Sequence, residues 1–221
     1  GSAGEKDHFP LFQSFDISSP VADAGEDAEI GQGDAFTFDA SGSGDDRGIV
    51  NYTWTFIYMG VTTTIYGTGP SFVFDEIGTY KITLRVSDAG ENWGEDTVTV
   101  KVIDTILPVL VIDRDITVDQ DKNATLDGSK CYDNIGIVNY TWKFTYNNVE
   151  YLHYTSKISF LFANVGTYEI TLILTDAAGN SVTGIINLTA KDVIPPRAKA
   201  GEDLNIKMGD TVHFDGVGSS D

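Results

Sequence analysis

The sequence predicts an all-β chain of tandem two-sheet sandwiches, and three observations carry that prediction. The first is an ungapped internal repeat: Gly48-Ile-Val-Asn-Tyr-Thr-Trp54 returns as Gly136-Ile-Val-Asn-Tyr-Thr-Trp142, 88 residues on. A fixed period marks a chain of repeated structural units. The second is period-two alternation in short segments, with no sustained helical period. In residues 79–87, Tyr80, Ile82, Leu84 and Val86 share one face while Lys81, Thr83 and Arg85 share the other, which is the pattern of a half-buried strand. The third is strand density. About seven short strands per repeat imply two antiparallel sheets packed face to face, the immunoglobulin-like arrangement.

Taken in order, the first repeat reads as a split first strand around 21–30, then strands near 35–39, 49–58, 61–66, 71–74, 79–87 and 95–102. The register holds throughout: Gly78-Thr-Tyr80 maps to Gly166-Thr-Tyr168, Asp88 to Asp176 and Asn92 to Asn180. Trp54 and Trp142 fall mid-strand with Tyr52, Phe56, Tyr140 and Phe144 on the same face, where large rings bridge the sheets. Tyr80 and Tyr168 each follow Gly-Thr at a strand start, the position of a tyrosine corner. A third copy begins, since Pro20, Pro108 and Pro196 share one position, as do Asp45, Asp133 and Asp221.

The expected organisation is a tag remnant (Gly1-Ser2) and linker over 1–19, sandwich one over 20–104, sandwich two over 105–193, and the truncated start of a third repeat over 194–221. That last segment is expected to supply two strands. Two strands alone bury too little to be stable, so they are expected to pack on the second sandwich or to self-associate with another chain.

Composition narrows the function. The 33 acidic residues outnumber 14 basic ones, giving a formal charge of -19 that repels phosphate backbones and anionic lipid. Nucleic acid is excluded as a natural partner. No apolar run reaches the roughly 18 residues needed to span a bilayer, so direct membrane insertion of this stretch is not expected. Cys131 is the only cysteine, leaving no intramolecular disulfide, zinc cluster or redox pair. It reads as a small buried residue. His8, His153 and His213 occupy unrelated repeat positions and suggest neither a triad nor a metal centre. The adjacent Asp45 and Asp46 on a loop offer no fixed separation across a sugar. The chain is not expected to be an enzyme.

Several motifs resemble the PKD (polycystic kidney disease) domain family, especially tandem copies in archaeal and bacterial surface proteins. They are Pro20-Val-Ala-Asp-Ala-Gly25, Phe38-Asp-Ala-Ser-Gly-Ser43, Asp45-Asp46, Ile49-Val-Asn-Tyr-Thr-Trp-Thr-Phe56 and Val86-Ser-Asp88. The resemblance runs from about residue 16 onward. It implies a noncatalytic extracellular or cell-surface role: a structural or adhesive array of a cell-surface or surface-layer protein, with other surface proteins or glycans as partners. The alternative it implies is a carbohydrate-binding or spacer region of a secreted hydrolase. The family usually places a tight Gly-Asp-Gly turn after Trp-x-Phe. Here Ile57-Tyr-Met-Gly60 and Thr145-Tyr-Asn-Asn148 stand there, which predicts a longer hairpin.

Acidic residues recur where loops gather at one end of such a sandwich. Asp39, Asp45 and Asp46 fall on one loop, Asp88 with Glu91 and Asn92 on another, and Asp16 in the linker. The second repeat gathers Asp104, Asp127, Asp133, Asn134 and Asp176 in the same manner. Hard oxygen ligands from several loops suit Ca2+, which extracellular modules bind at roughly 10⁻⁴ to 10⁻³ M. The same residues also serve as turn formers that cap their own backbone. Four Asn-x-Thr sequons mark glycosylation candidates at Asn51, Asn123, Asn139 and Asn187. Trp93 is placed on a loop, free to stack on a sugar or on a neighbouring loop.

Overall fold

The computed structural model describes residues 16–221 and is built from strands and turns, with no helix among the described residues. It divides into two compact units, at Ile106 and Leu107. In the first, β1 (Ala28–Gly31), β7 (Trp93–Ile103), β6 (Gly78–Asp88), β3 (Ile49–Tyr58) and β4 (Val61–Tyr66) form a five-stranded sheet in that order, faced by β2 (Ala35–Thr37) and β5 (Ser71–Val73). In the second, β8 (Asp115–Asp119), β14 (Ser181–Lys191), β13 (Gly166–Asp176), β10 (Ile137–Tyr146) and β11 (Val149–His153) repeat that order, faced by β9 (Lys122–Asp127) and β12 (Lys157–Phe162). Each unit is the immunoglobulin-like sandwich that the alternation predicts.

The alternation becomes burial directly. Ile82, Leu84 and Val86 of β6 are fully buried while Lys81 and Arg85 are exposed. Trp54 and Trp142 are completely enclosed, and each indole N–H donates to a carbonyl 13 residues on, Gly67 at 3.0 Å and Thr155 at 2.8 Å. A buried indole is tolerated because its polar edge finds this partner. Phe38 packs on Trp54 at 4.9 Å and Phe74 on Tyr80 at 4.8 Å, so rings from both sheets fill the interior. Truncating either Trp to Ala would cost about 3–5 kcal/mol. The tyrosine corners are present: the Tyr80 hydroxyl donates to the Glu76 carbonyl and the Tyr168 hydroxyl to Asn164, each at 2.8 Å.

Four details depart from the sequence reading. The split first strand reduces to a single bridge, Val21 with Gly44, followed by β1, which pairs in parallel with β7 from Ala28 opposite Val100 to Gly31 opposite Ile103. The hairpin after β3 is not longer at its turn. Only Met59 and Gly60 join β3 to β4, both at positive φ (50° and 77°), and Asn147 and Asn148 (50° and 62°) join β10 to β11. This two-residue turn with both residues left-handed matches the twist of the strands it connects. Trp93 is not on a loop; it opens β7 opposite Ser87, and the Arg85 guanidinium lies 4.2 Å from its ring centroid. Such stacking is a cation–π contact that occupies the indole face.

The fourth departure is the third copy. Residues 196–221 form no named strand and are almost entirely exposed, with one β-bridge, Arg197–Ser220, at the repeat position of Val21–Gly44 and Val109–Tyr132. The reason is topological. In a complete unit the first strand pairs with the last, and the second pairs with the fifth. No such partner strand stands opposite residues 196–221, whose other backbone–backbone hydrogen bonds close local turns, as from the Asp210 N–H to the Lys207 carbonyl at 3.1 Å and from the Ser219 N–H to Gly216 at 2.9 Å.

Candidate functional site

The acidic residues are positioned by turn chemistry at the ends of β2, β6 and the leading segment. Asp45 opens a turn in which its Oδ2 accepts the backbone N–H groups of Arg47 and Gly48, both at 2.8 Å. Asp133 repeats this, its Oδ2 accepting Ile135 at 2.9 Å and Gly136 at 3.1 Å. Asp and Asn favour such turns because a short side chain can cap the backbone two residues on. In both units, however, the second oxygen differs from an ordinary cap. Oδ1 of Asp45 and Oδ1 of Asp133 are buried, with no hydrogen-bond partner.

Those two aspartates lie within carboxylate groups. Asp16, Asp45 and Asp46 each bring one oxygen within 4.8 Å of the others, and in the second unit Asp133 and Asp176 do the same with each other. Like charges at this spacing repel one another, and burial weakens the screening that water would supply. The first group has partial relief, since Arg47 Nε stands 3.9 Å from an Asp16 oxygen and the Ser18 hydroxyl donates to Asp46 at 3.5 Å. At the repeat position of Arg47 the second unit has Ile135, which brings no charge.

The remaining predicted residues divide into distinct roles. Asp88 is buried and accepts both the backbone N–H and the side-chain amide of Asn92, at 2.9 and 2.8 Å. Asp176 is held likewise by Asn180, at 2.8 and 2.9 Å, with a further N–H from Ala178 at 2.9 Å. The Asn92 hydrogen bond holds the Asp88 carboxyl below the usual carboxylate range; burial pushes the Asp176 carboxyl up, but the hydrogen bonds from Asn180, Gly179 and Ala178 together outweigh it and hold it below that range. Asn92 also donates to the Asp16 carbonyl at 3.2 Å, so one loop ties together Asp88 and the leading segment. Asp104 is buried and accepts the Ile106 N–H at 3.1 Å.

Asp39 and Asp127, expected in the clusters, belong to neither group. Asp39 is exposed and caps Ser41, whose hydrogen bonds lower its pKa. Asp127 accepts the Ser129 N–H and hydroxyl and is paired with Lys157 Nζ at 2.9 Å, contacts that hold it deeply ionised. Asn134, exposed beside Asp133, stands at the repeat position of Asp46.

The four sequon asparagines are all exposed, Asn51 on β3, Asn123 on β9, Asn139 on β10 and Asn187 on β14. His153 stacks on Phe144, its Nε2 buried without a partner, while His213 is exposed; His8 lies outside the described residues. Cys131 is buried, and its sulfur accepts the Val111 N–H at 3.3 Å.

The PKD domain description matches the sequence twice, over residues 17–102 and 106–190. Over 177 residues the chain is 34% identical to the Mus musculus dyslexia-associated protein KIAA0319-like protein. That match covers 74% of this chain and 17% of the relative, so the chain spans less than a fifth of that protein's length. Among solved structures, the PKD domain from the KIAA 1837 protein is 28% identical, covering 40% of this chain and 89% of that one with a TM-score of 0.33. The Sidekick-1 immunoglobulin domains 1–4 are 10% identical, with a TM-score of 0.44 over 78% of this chain and 49% of that one.

Proposed function

The chain belongs to the PKD domain family, its two matches covering well over half of its length, and from that premise we propose that it is a noncatalytic, extracellular structural or adhesive repeat segment of a cell-surface or surface-layer protein, stiffened by calcium. The observation that carries the calcium reading is the buried, unpartnered Oδ1 found at the same repeat position in both units, on Asp45 and Asp133, each beside further carboxylates. A buried acceptor without a donor costs free energy, on the order of 1–3 kcal/mol. A hard cation is the partner that would satisfy it and reverse the repulsion around it. In the first unit Asp16, Asp45 and Asp46 would hold the ion, tying the leading segment to the loop after β2. Other surface proteins or glycans are the proposed partners.

The test compares thermal melting and small-angle scattering in chelator and in millimolar calcium. A higher melting temperature and a better-defined maximum dimension in calcium support the reading. No change in either removes calcium from it and leaves the acidic residues as turn formers.

A second reading, a carbohydrate-binding or spacer region of a secreted hydrolase, is favoured by one repeat-equivalent pair of exposed rings, Tyr66 and Tyr154. Retention on insoluble polysaccharide, lost when both tyrosines are changed to Ala, would select it.

A further inference from the structure

The chain has eleven asparagines, and the fold sorts them into two sets. Four lie inside strands: Asn51, Asn123, Asn139 and Asn187. Seven lie outside them: Asn92, Asn134, Asn147, Asn148, Asn164, Asn180 and Asn205. Every strand asparagine is followed by a threonine two residues on, and no asparagine outside a strand has a serine or threonine there. Asparagine is disfavoured in strands and favoured in turns. The turn asparagines therefore have a local explanation, and the strand asparagines lack one.

Side-chain contacts separate the sets again. Outside the strands, Asn92, Asn164 and Asn180 commit their amides to hydrogen bonds of 2.7–2.9 Å. On the strands, Asn51 reaches Ser87 only at 3.3 Å and Asn187 reaches Asp115 only at 3.5 Å. All four strand asparagines are exposed. Because strand residues two apart share a face, each amide has its threonine beside it on the outward side. Asn51, Asn139 and Asn187 lie on the outer faces of the five-stranded sheets, and Asn123 on the two-stranded sheet of the second unit.

From this partition we infer that Asn51, Asn123, Asn139 and Asn187 are N-glycosylated, an inference that rests on the extracellular placement proposed above. The co-substrate is an oligosaccharide activated on a lipid phosphate. The side-chain amide nitrogen forms a bond to the sugar C1, the bond from C1 to the phosphate oxygen breaks, the lipid phosphate leaves with the electron pair, and the amide nitrogen gives up one proton. Modification adds bulk and solubility at positions where the core makes no demand.

The test is peptide mass spectrometry on the full protein recovered from the cells that make it, after surface exposure has been measured by protease treatment of intact cells. Fragmentation of the peptides is expected to place glycan mass on these four residues and on none of the other seven. Thr53→Ala and Thr141→Ala should abolish it at Asn51 and Asn139, while Thr53→Ser and Thr141→Ser should retain it. Surface-exposed protein with all four residues unmodified overturns the glycan inference and leaves the placement standing. Protein that is both unmodified and inaccessible to protease overturns the two together.

Discussion

Asn92 donates both its backbone N–H and its side-chain amide to the carboxylate of Asp88, at 2.9 and 2.8 Å, closing the β6–β7 loop on a buried charge. Asn180 does the same for Asp176. Both carboxyls titrate below their ordinary range, so in acid the unfolded chain binds protons that the folded chain does not. Their stabilisation is complete at neutral pH and is lost as the pH falls below the ordinary aspartate value of about 3.9. Melting curves between pH 7 and pH 2 should show this loss. Asp176→Asn should lower the melting temperature by several degrees at pH 7 and flatten the acid limb, because an amide places a donor against the donors of Asn180.

Calcium titration should separate the grouped aspartates from the others. Asp45→Asn preserves an oxygen for the turn and removes the unpartnered carboxylate oxygen, so it should reduce the gain in melting temperature on adding calcium, as should Asp133→Asn. Asp127→Ala should leave that gain intact, since Asp127 is occupied by Lys157 and Ser129. At ligand about 100 times Kd the full gain corresponds to roughly 2.7 kcal/mol. Equal responses from all three variants would refute the grouping.

The hairpin turn offers a stabilising change. Met59 holds φ of 50°, a conformation that costs a side chain without a local hydrogen bond on the order of 1 kcal/mol, whereas the second unit places Asn147 there. Met59→Asn should raise stability by about 0.5–1 kcal/mol in urea titration. The reverse change, Asn147→Met, should lower it.

Cys131 occupies the repeat position of Ser43 and makes the same bridge with sulfur that Ser43 makes with its hydroxyl. Ser43 Oγ accepts the Asp23 N–H at 3.0 Å, and Cys131 Sγ accepts Val111 at 3.3 Å. Cys131→Ser should therefore fold, with a change in stability within about 1 kcal/mol, and Cys131→Val should cost more by leaving the Val111 N–H unmet. Denaturant midpoints for the two variants decide this.

How much of this was legible in the sequence follows from which interactions are periodic. Strand positions and core came through because Tyr52, Trp54 and Phe56 sit two residues apart and their counterparts 88 residues on, a signal no single substitution erases. The turn after Tyr58 was misread because its tightness lies in backbone angles, and Met59 does not advertise a left-handed φ. Trp93 was misplaced because the partner that holds it, Arg85, lies on the adjacent strand. Loop membership drew Asp45 and Asp133 toward other carboxylates but could not separate them from Asp39 and Asp127. That distinction depends on which oxygen the turn leaves buried and unmet.

The parallel pairing of β1 with β7 and of β8 with β14 has a mechanical consequence. Tension applied through the two ends of a unit pulls its first and last strands in opposite directions along their common axis. The hydrogen bonds joining Ala28–Gly31 to Val100–Ile103 are then loaded together, in shear, and cannot be opened one after another. In the second unit the same load falls on five residue pairs, Asp115–Asp119 against Asn187–Lys191, where the first has four. A chain under traction would thus yield first at the unit with the shorter clamp, giving the segment a built-in order of extension.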